Sequence, residues 1–563
     1  MVVRSKQKSA FKILLVYPNL SMLYAPPLAM AIFIALLRKE GYQVDLFDAT
    51  PYVGEGASAP VEGTFVGDEM NTIRADKNSV EKKLTFQSKI TEEKMGELVQ
   101  ARPFSFEDFN IESKVGLFDD FKKKVDDFQP DLMITSTVED TFLQLVSLMS
   151  IVRDKKIPAI HGGVFITAAP ELALTYPGID MIGIGEGEQI VLDVADRLSR
   201  GMSCSDVPGV WVKQKNGQVI KNDRGPLFDF QSVIPDYSLF DDDRFYRPMG
   251  GQFFKATPIE SYRGCPYQCA FCNSPMQVTL SKEAKIGNFV RRSPIEKMRN
   301  YLASVVEQVQ PTYIIFVDDS FLARPKRETE EFCKMYEEYK IPFWFNTRPE
   351  TVTSGLLQML KEVNCHRMSF GVECGNEEFR RKRLLRGQKN EHIIETFEII
   401  ANAGIPFSVN NIIGFPDETR ELIFETIELN RQIPAYDALT VSVFVPYHGT
   451  VLREDAVAAG YIAKNSIVRD LHHSALDMSQ LPPDEINGLL RTFPLYVHFD
   501  KSLWPDIRRA EQDDEYGNEM FQQLSARYQQ EAFSVDQNKK MEQYLMVKGS
   551  VGCASNEMDS LRI

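Results

Sequence analysis

Three of the chain's eight cysteines fall within one short segment, Gly264-Cys265-Pro-Tyr-Gln-Cys269-Ala-Phe-Cys272-Asn273. The others, Cys204, Cys333, Cys365, Cys374 and Cys553, are scattered. Eight cysteines in 563 residues are too few for a disulfide scaffold, so a cluster of this kind points to a metal. A structural zinc ion wants four protein ligands, and the next Cys and His are Cys333 and His366, far along the chain. Three thiolates fall one short of the four that close an iron–sulfur cube, so a [4Fe–4S] centre here keeps one iron open to an outside ligand. Zinc stays as the competing reading.

The loop needs a strand to present it. Glu260 to Arg263 is the strand candidate that precedes the cysteines, and Tyr313–Val317, Phe343–Asn346, Arg367–Gly371, Ser408–Ile413 and Leu439–Val445 follow. Helical stretches such as Pro294–Gln308 and Glu391–Ala403 separate them, a β/α alternation of six units. Six units rather than eight imply an incomplete barrel with an open side. Three segments at strand ends join the cysteine loop as candidate site elements. They are Gly371-Val-Glu373-Cys-Gly375, Asn410-Asn-Ile-Ile-Gly414-Phe-Pro-Asp417-Glu-Thr419, and Arg348 just past its strand. Carboxyl ends of strands form the functional rim of such barrels. Asp318-Asp319-Ser-Phe321 and Pro446-Tyr-His-Gly-Thr450 occupy similar positions without an assigned role.

An earlier alternation precedes this one. Lys12–Tyr17, Tyr42–Phe47, Asp131–Ser136, Ala159–His161 and Met181–Ile184 read as five strands, with helices at Pro27–Lys39, Phe142–Arg153 and Gln189–Arg200. The pattern predicts a doubly wound parallel sheet whose ligand crevice lies at the strands' carboxyl ends. Glycines cluster there, in Gly162-Gly163 and in Gly183-Ile-Gly185-Glu186-Gly187-Glu188. Each alone is as consistent with an ordinary turn. His161 is read as a packing residue.

The spacing Cys-x3-Cys-x2-Cys, with an aromatic (Phe271) before the last Cys, resembles the signature of the radical SAM superfamily. The resemblance implies Cys265, Cys269 and Cys272 as iron ligands and S-adenosylmethionine (SAM) on the open iron. Glu373 then meets the SAM ammonium group, and Asn410 and Gly414 belong to the segment around its adenosine and ribose. Asp417 stands where that family segment has Gly, and Cys374 where Ser is common. Arg348 either pairs with the SAM carboxylate or holds a loop.

A five-stranded doubly wound domain ahead of such a barrel is similar to the cobalamin-binding radical SAM enzymes. That resemblance extends over roughly residues 10 to 455 and implies a corrin held by the loops of Ser136, Val138, Gly162, Gly163, Gly185, Glu186 and Gly187. The first loop, Pro18-Asn-Leu-Ser-Met-Leu23, lacks the Asp-x-His-x-x-Gly ligand motif of many cobalamin domains. The implied reaction is methylation of an unactivated carbon, or phosphorus, of a small molecule or peptide through a 5′-deoxyadenosyl radical and methylcobalamin. An external electron donor such as flavodoxin or ferredoxin is implied as well. No side-chain acid or base is nominated. Cyclisation or ring rearrangement is the alternative outcome, and a non-catalytic iron–sulfur sensing module the alternative class.

The resulting domain layout is a flavodoxin-like domain over 1–205 with an insertion at about 51–125, a linker over 206–255 with a small hairpin at Val210–Ile220, a partial (β/α)6 barrel over 256–455, and a helical region with a polar tail over 456–563. A net charge of −15 argues against a long phosphate backbone as partner. The longest apolar run, Leu28–Leu37, is half the roughly twenty residues a membrane span needs. No signal-like cleavage region is evident, and a cytoplasmic protein is expected.

Overall fold

The structure, a computed structural model, describes residues 5–19, 25–52, 114–249, 252–468 and 473–532. The first sheet contains β1 (Lys12–Tyr17), β2 (Gln43–Asp48), β3 (Leu132–Ser136), β4 (Ala159–Gly162), β5 (Met181–Gly183), β6 (Val210–Lys213) and β7 (Val219–Lys221). Their order is β2-β1-β3-β4-β5-β6-β7, with β1 to β5 parallel and the last two strands antiparallel. The direction of travel reverses between β1 and β3, the place where open α/β sheets carry their crevice. The parallel strands read as continuous apolar runs because both faces are covered: Leu14, Val16 and Met133 belong to one core, Ile13, Leu15 and Ile134 to another.

Two expectations are corrected in this half. Residues 53–113, most of the expected insertion, lie outside the described residues, but the helix Leu117–Phe128 is no insertion. It is the crossover into β3, burying Leu117, Phe121 and Val125 at four-residue spacing, and its charged opposite face hid that stripe. The expected linker is likewise not free: the Val210–Lys221 hairpin extends the first sheet, and Tyr246–Ile259 already belongs to the second.

The second sheet consists of β8 (Tyr246–Met249), β9 (Gln252–Ile259), β12 (Tyr313–Phe316), β13 (Phe343–Thr347), β14 (Cys365–Glu373), β15 (Phe407–Ile413) and β16 (Ala438–Val443). A separate two-stranded ribbon pairs β10 (Tyr262–Arg263) with β11 (Arg291–Arg292). The sheet order is β16-β15-β14-β13-β12-β9-β8, with β9 to β16 parallel and β8 an antiparallel edge. The strand expected at Glu260–Arg263 is therefore β9, ending at Ile259, and Tyr262 and Arg263 belong to the ribbon. Pro258 disguises β9, since proline argues against a central strand. It is tolerated because β8 pairs only as far as Lys255 and leaves that side of β9 open. Outward residues of these strands, including Ile259, Ile314, Phe316, Phe343, Phe345, Met368 and Phe370, form the large core with the covering helices.

C-terminal helices Pro483–His498, Trp504–Ala510 and Glu515–Ala532 pack on that same core through Ile486, Leu489, Phe493, Ile507 and Phe521. The expected polar tail lies outside the described residues. Among the described residues no helix is long and apolar enough to cross a membrane.

Close backbone packing behind the second sheet is tightest at Gly375, where a Cβ would stand 2.3 Å from the Glu425 carbonyl oxygen and 2.5 Å from the Thr426 Cα. Gly355, in the exposed first turn of the helix Ser354–Glu362, would meet nothing within 4 Å. Gly375→Ala should therefore destabilise the fold by about 1–3 kcal/mol, and Gly355→Ala should stabilise it by about 0.5–1 kcal/mol. Apparent melting temperatures of the two variants should move in opposite directions; a shared direction contradicts the packing described.

Candidate functional site

All three clustered cysteines are free thiols and partly buried, on the loop that follows the ribbon strand β10. Burial pushes the Cys265 thiol up to about 11 and the Cys272 thiol up to about 12, so metal uptake there must displace protons. Donors already point at two of the sulfurs: Arg348 Nη1 donates to Cys269 Sγ at 3.2 Å, and the Ser274 N–H to Cys272 Sγ at 3.5 Å. The Ser274 hydroxyl receives the Cys265 N–H at 3.1 Å and donates to Asp319 at 2.7 Å, which stiffens the loop at both ends. Among the described residues no three His, Cys, Asp or Glu side chains converge on a single-ion position. Thiolates that each take a different iron stand further apart than ligands sharing one ion, so this donor set fits a multi-iron cube better than zinc.

The strand-end segments flank this loop. Phe271 packs against Phe415, whose segment begins at Gly414, with ring centroids 5.8 Å apart. Asn410 is held by two bonds, donating to Ser369 at 2.8 Å and accepting from Thr440 at 2.6 Å. Glu373 ends β14 at a bulge, with a left-handed φ of 67° that a non-glycine residue adopts only at a cost. It is only 7% exposed, and Arg386 Nη1 donates to its carboxylate at 3.1 Å. Burial raises its pKa, and Arg386 and Arg348 oppose the rise. Read first as a ligand, Glu373 already has a buried cationic partner. Arg348 has partners too: its guanidinium bonds Glu350 at 2.5 Å and lies 3.8 Å from the Tyr267 ring centroid. The loop-holding alternative for Arg348 is the one these contacts favour. Asp417 adopts φ 66°, which explains a glycine preference at that position and why Asp can replace it.

At the carboxyl ends of β3, β4 and β5 lies a cavity of about 390 Å³. Ser136, Gly162, Gly163, Gly185, Glu186 and Gly187 line it, together with apolar side chains such as Ile32, Phe33 and Ile134. Gly163, at φ 112°, has no room for a side chain: a Cβ would lie 2.1 Å from the Thr137 carbonyl oxygen. The second half of the molecule closes the other side with Glu260, Arg263, Gln277, Phe289 and Val317. Such a volume buries one part of a large ligand, leaving the rest to the crevice between the sheets. One expected residue lies off the lining, and another lines it with its carboxylate already engaged. Val138 is 41% exposed and lies off the lining, and the Glu186 carboxylate is taken by Arg263, Arg291 and the Phe228 N–H. His161 is fully buried, bonded to Thr135 at 3.0 Å, with burial lowering its pKa to about 4, a core residue as expected. Of the first loop, Leu20 to Leu23 lie outside the described residues, while Asn19 is buried and bonds Thr50 at 3.0 Å.

Several residues of the site were not foreseen. Arg386 is one; its partner lies thirteen residues away, beyond any local motif. Another is Glu139, which accepts from the His448 N–H and from His448 Nδ1, both at 2.9 Å, and joins the helix after β3 to the Pro446–Thr450 segment. That segment stood out in the sequence, but only folding shows its partner.

The fold and site together define a two-sheet α/β protein with a three-thiolate loop and a glycine-lined cavity at adjoining strand ends. Residues 259–429 match the family model of the Radical SAM superfamily. These residues therefore carry a domain of that superfamily, and the chain is an enzyme. It is 28% identical over 353 residues to "Uncharacterized methyltransferase PH0819" of Pyrococcus horikoshii, an alignment covering 61% of this chain and 72% of the relative. It is 23% identical over 326 residues to "Anaerobic magnesium-protoporphyrin IX monomethyl ester cyclase" of Rubrivivax gelatinosus, covering 56% of each. The structure of the radical S-adenosylmethionine methyltransferase TsrM from Kitasatospora setae, with cobalamin and a [4Fe-4S] cluster bound, superposes with a TM-score of 0.56. That match has 14% identity and covers 92% of this chain and 99% of TsrM, which shows a shared fold.

Glu418 gives the site's surroundings a pH signature. Its carboxyl is fully buried, receives the Gly414 and Phe415 N–H groups at 2.6 and 3.1 Å, and leaves Oε1 without a partner among the described residues. Burial, only partly offset by those bonds, pushes its pKa up to about 8. The folded state then keeps a proton that the unfolded chain loses above its own pKa of roughly 4.3, so stability from this group is complete below that value. It falls as pH rises toward about 8, by at most about 1.4 kcal/mol per unit. Glu418→Gln should flatten the decline in melting temperature between pH 5 and 8 and melt higher than wild type at pH 8; an unchanged slope would rule this out.

Proposed function

We propose that the chain is a cobalamin-dependent radical SAM methyltransferase acting on an unactivated carbon, or phosphorus, centre of a small molecule or peptide. The observation that carries this reading is the juxtaposition of two cofactor-sized features. The thiolate loop sits at the carboxyl ends of the second sheet, and the same rim, through Glu260, Arg263 and Val317, closes the glycine-lined cavity of the first. In this layout the sheet β1 to β7 belongs to a flavodoxin-like cobalamin domain, the sheet β8 to β16 to a partial radical SAM barrel, and the helices Pro483–His498, Trp504–Ala510 and Glu515–Ala532 follow.

Cys265, Cys269 and Cys272 would hold three irons, with SAM at the fourth near Glu373, Asn410, Gly414 and Phe271. The loops of Ser136, Gly162, Gly163, Gly185 and Gly187 would hold the corrin. When bound, the cluster supplies the electron that cleaves the SAM sulfonium, and cobalamin serves as the methyl carrier. The chain's own residues orient and shield. Arg348, donating to Cys269 Sγ, favours the thiolate. Phe271 against Phe415 keeps water from one flank of the loop. The Glu373–Arg386 pair fixes a carboxylate at the sheet's rim, where an ammonium group would meet it. The single electron must arrive from a donor such as flavodoxin or ferredoxin.

A second reading, a cyclase with the same cofactors, is supported by the likeness to the Rubrivivax relative. Products separate the two. Anaerobic protein supplied with cobalamin, SAM and dithionite should show corrin bands beside iron–sulfur absorption, and with its substrate should form S-adenosylhomocysteine as well as 5′-deoxyadenosine. 5′-Deoxyadenosine alone supports the cyclase, and absent corrin bands remove both. Replacing Cys265, Cys269 and Cys272 by Ala should take iron from about four per chain to none and abolish 5′-deoxyadenosine; retained iron contradicts the assignment.

A further inference from the structure

The ribbon that leads into the cysteine loop carries two arginines that reach into the other half of the molecule. Arg263 Nη1 donates to Glu186 at 3.0 Å and to Glu188 at 2.7 Å, while its Nε and Nη2 grip Glu260 at 2.9 and 2.8 Å. Directly across the ribbon, Arg291 bonds Glu186 and donates to the Phe228 carbonyl at 2.6 Å. Both guanidinium groups lie over the Phe230 ring, at 4.6 and 5.5 Å from its centroid. Side-chain exposures run only from 6% for Glu188 to 20% for Arg291, so the cluster is largely desolvated. Burial works against charge here, yet the two arginines hold the Glu186 carboxyl below its ordinary range. Removing one member of such a cluster strands its partners as buried charges, which is far costlier than losing a surface pair.

Placement gives the cluster its meaning. Glu186 and Glu188 lie on the glycine loop that lines the cavity, and Arg263 stands two residues before Cys265 and lines the same cavity. We propose that Arg263 is a positioning residue that ties the Gly183–Glu188 loop to the cysteine-bearing ribbon and so fixes the separation between the ligand in the cavity and the metal centre. The meaning of that separation rests on the two-cofactor reading above. Arg263 makes four charge-assisted bonds from one rigid planar fork, a geometry that Lys cannot reproduce, so a length-matched cation keeps the charge but loses the angle.

The tie can be read without any cofactor. Hydrogen exchange on the full-length apo-protein should show peptides covering 183–188 and 260–265 exchanging about tenfold faster or more in Arg263→Met, with partial recovery in Arg263→Lys. Glu188→Gln, which keeps shape and removes one charge, should produce a smaller loss at 183–188 and serves if Arg263→Met does not fold. Unchanged exchange in the folded variants overturns the proposal. In protein reconstituted with cluster and cob(II)alamin, the magnetic coupling between the reduced cluster and the cobalt spin should change in Arg263→Lys at equal iron and corrin content. A merely structural role would lower content and leave the coupling of the loaded fraction as in wild type, which also overturns the proposal. If wild type takes up no corrin, the two-cofactor reading fails, and the exchange result decides on the tie alone.

Discussion

Parallel strands can be joined only by crossovers, so every loop that follows such a strand emerges at the same end of its sheet. In this chain two parallel sheets present those ends to a shared space. Both the glycine loops and the cysteine loop follow from that one constraint: backbone without side chains on one wall, thiols on the other. The walls are held together by Asp48 with Arg244 at 2.6 Å, by Glu139 with His448, and by the arginine ribbon, among other contacts.

Several of the joints are charged and buried. Geometry matters more in such contacts than in greasy ones, because a misaligned ion pair deep in protein is penalised while a misaligned leucine simply repacks. Where two ligands must be held at a set separation, directional bonds meet that need better than area does. Apolar contacts cross the joint as well: Ala31 of the first half belongs to the core of the second, and Phe165 packs against the His448 ring.

Much of the fold was legible because buried parallel strands are nearly continuous apolar runs; Lys12–Tyr17, Leu132–Ser136 and Tyr313–Phe316 needed no further information. Legibility failed where a residue's chemistry spoke for the wrong environment. Pro258 masked β9 because nothing local says that β8 stops at Lys255. Asp and Lys on one face of Leu117–Phe128 masked a helix whose other face is core. At the site, the thiol spacing is local and was readable, whereas the partners of Arg263 in the glycine loop lie 75 and 77 residues away. Glu186 shows the same limit, since its place in a glycine loop suggested a ligand and its carboxylate turned out to belong to the arginines.

The six parallel strands of the second sheet do not return on themselves, for the order ends at β16 on one side and β8 on the other. A closed eight-stranded cylinder fills its own axis with side chains and admits molecules only over its rim. An unclosed wall has a flank as well, and on its edge strand β16 the polar Ser442 stays exposed. What may pass along that seam is thus set by the elements laid against it rather than by the sheet's own ladder, and the helix Pro483–His498 already lies against β16.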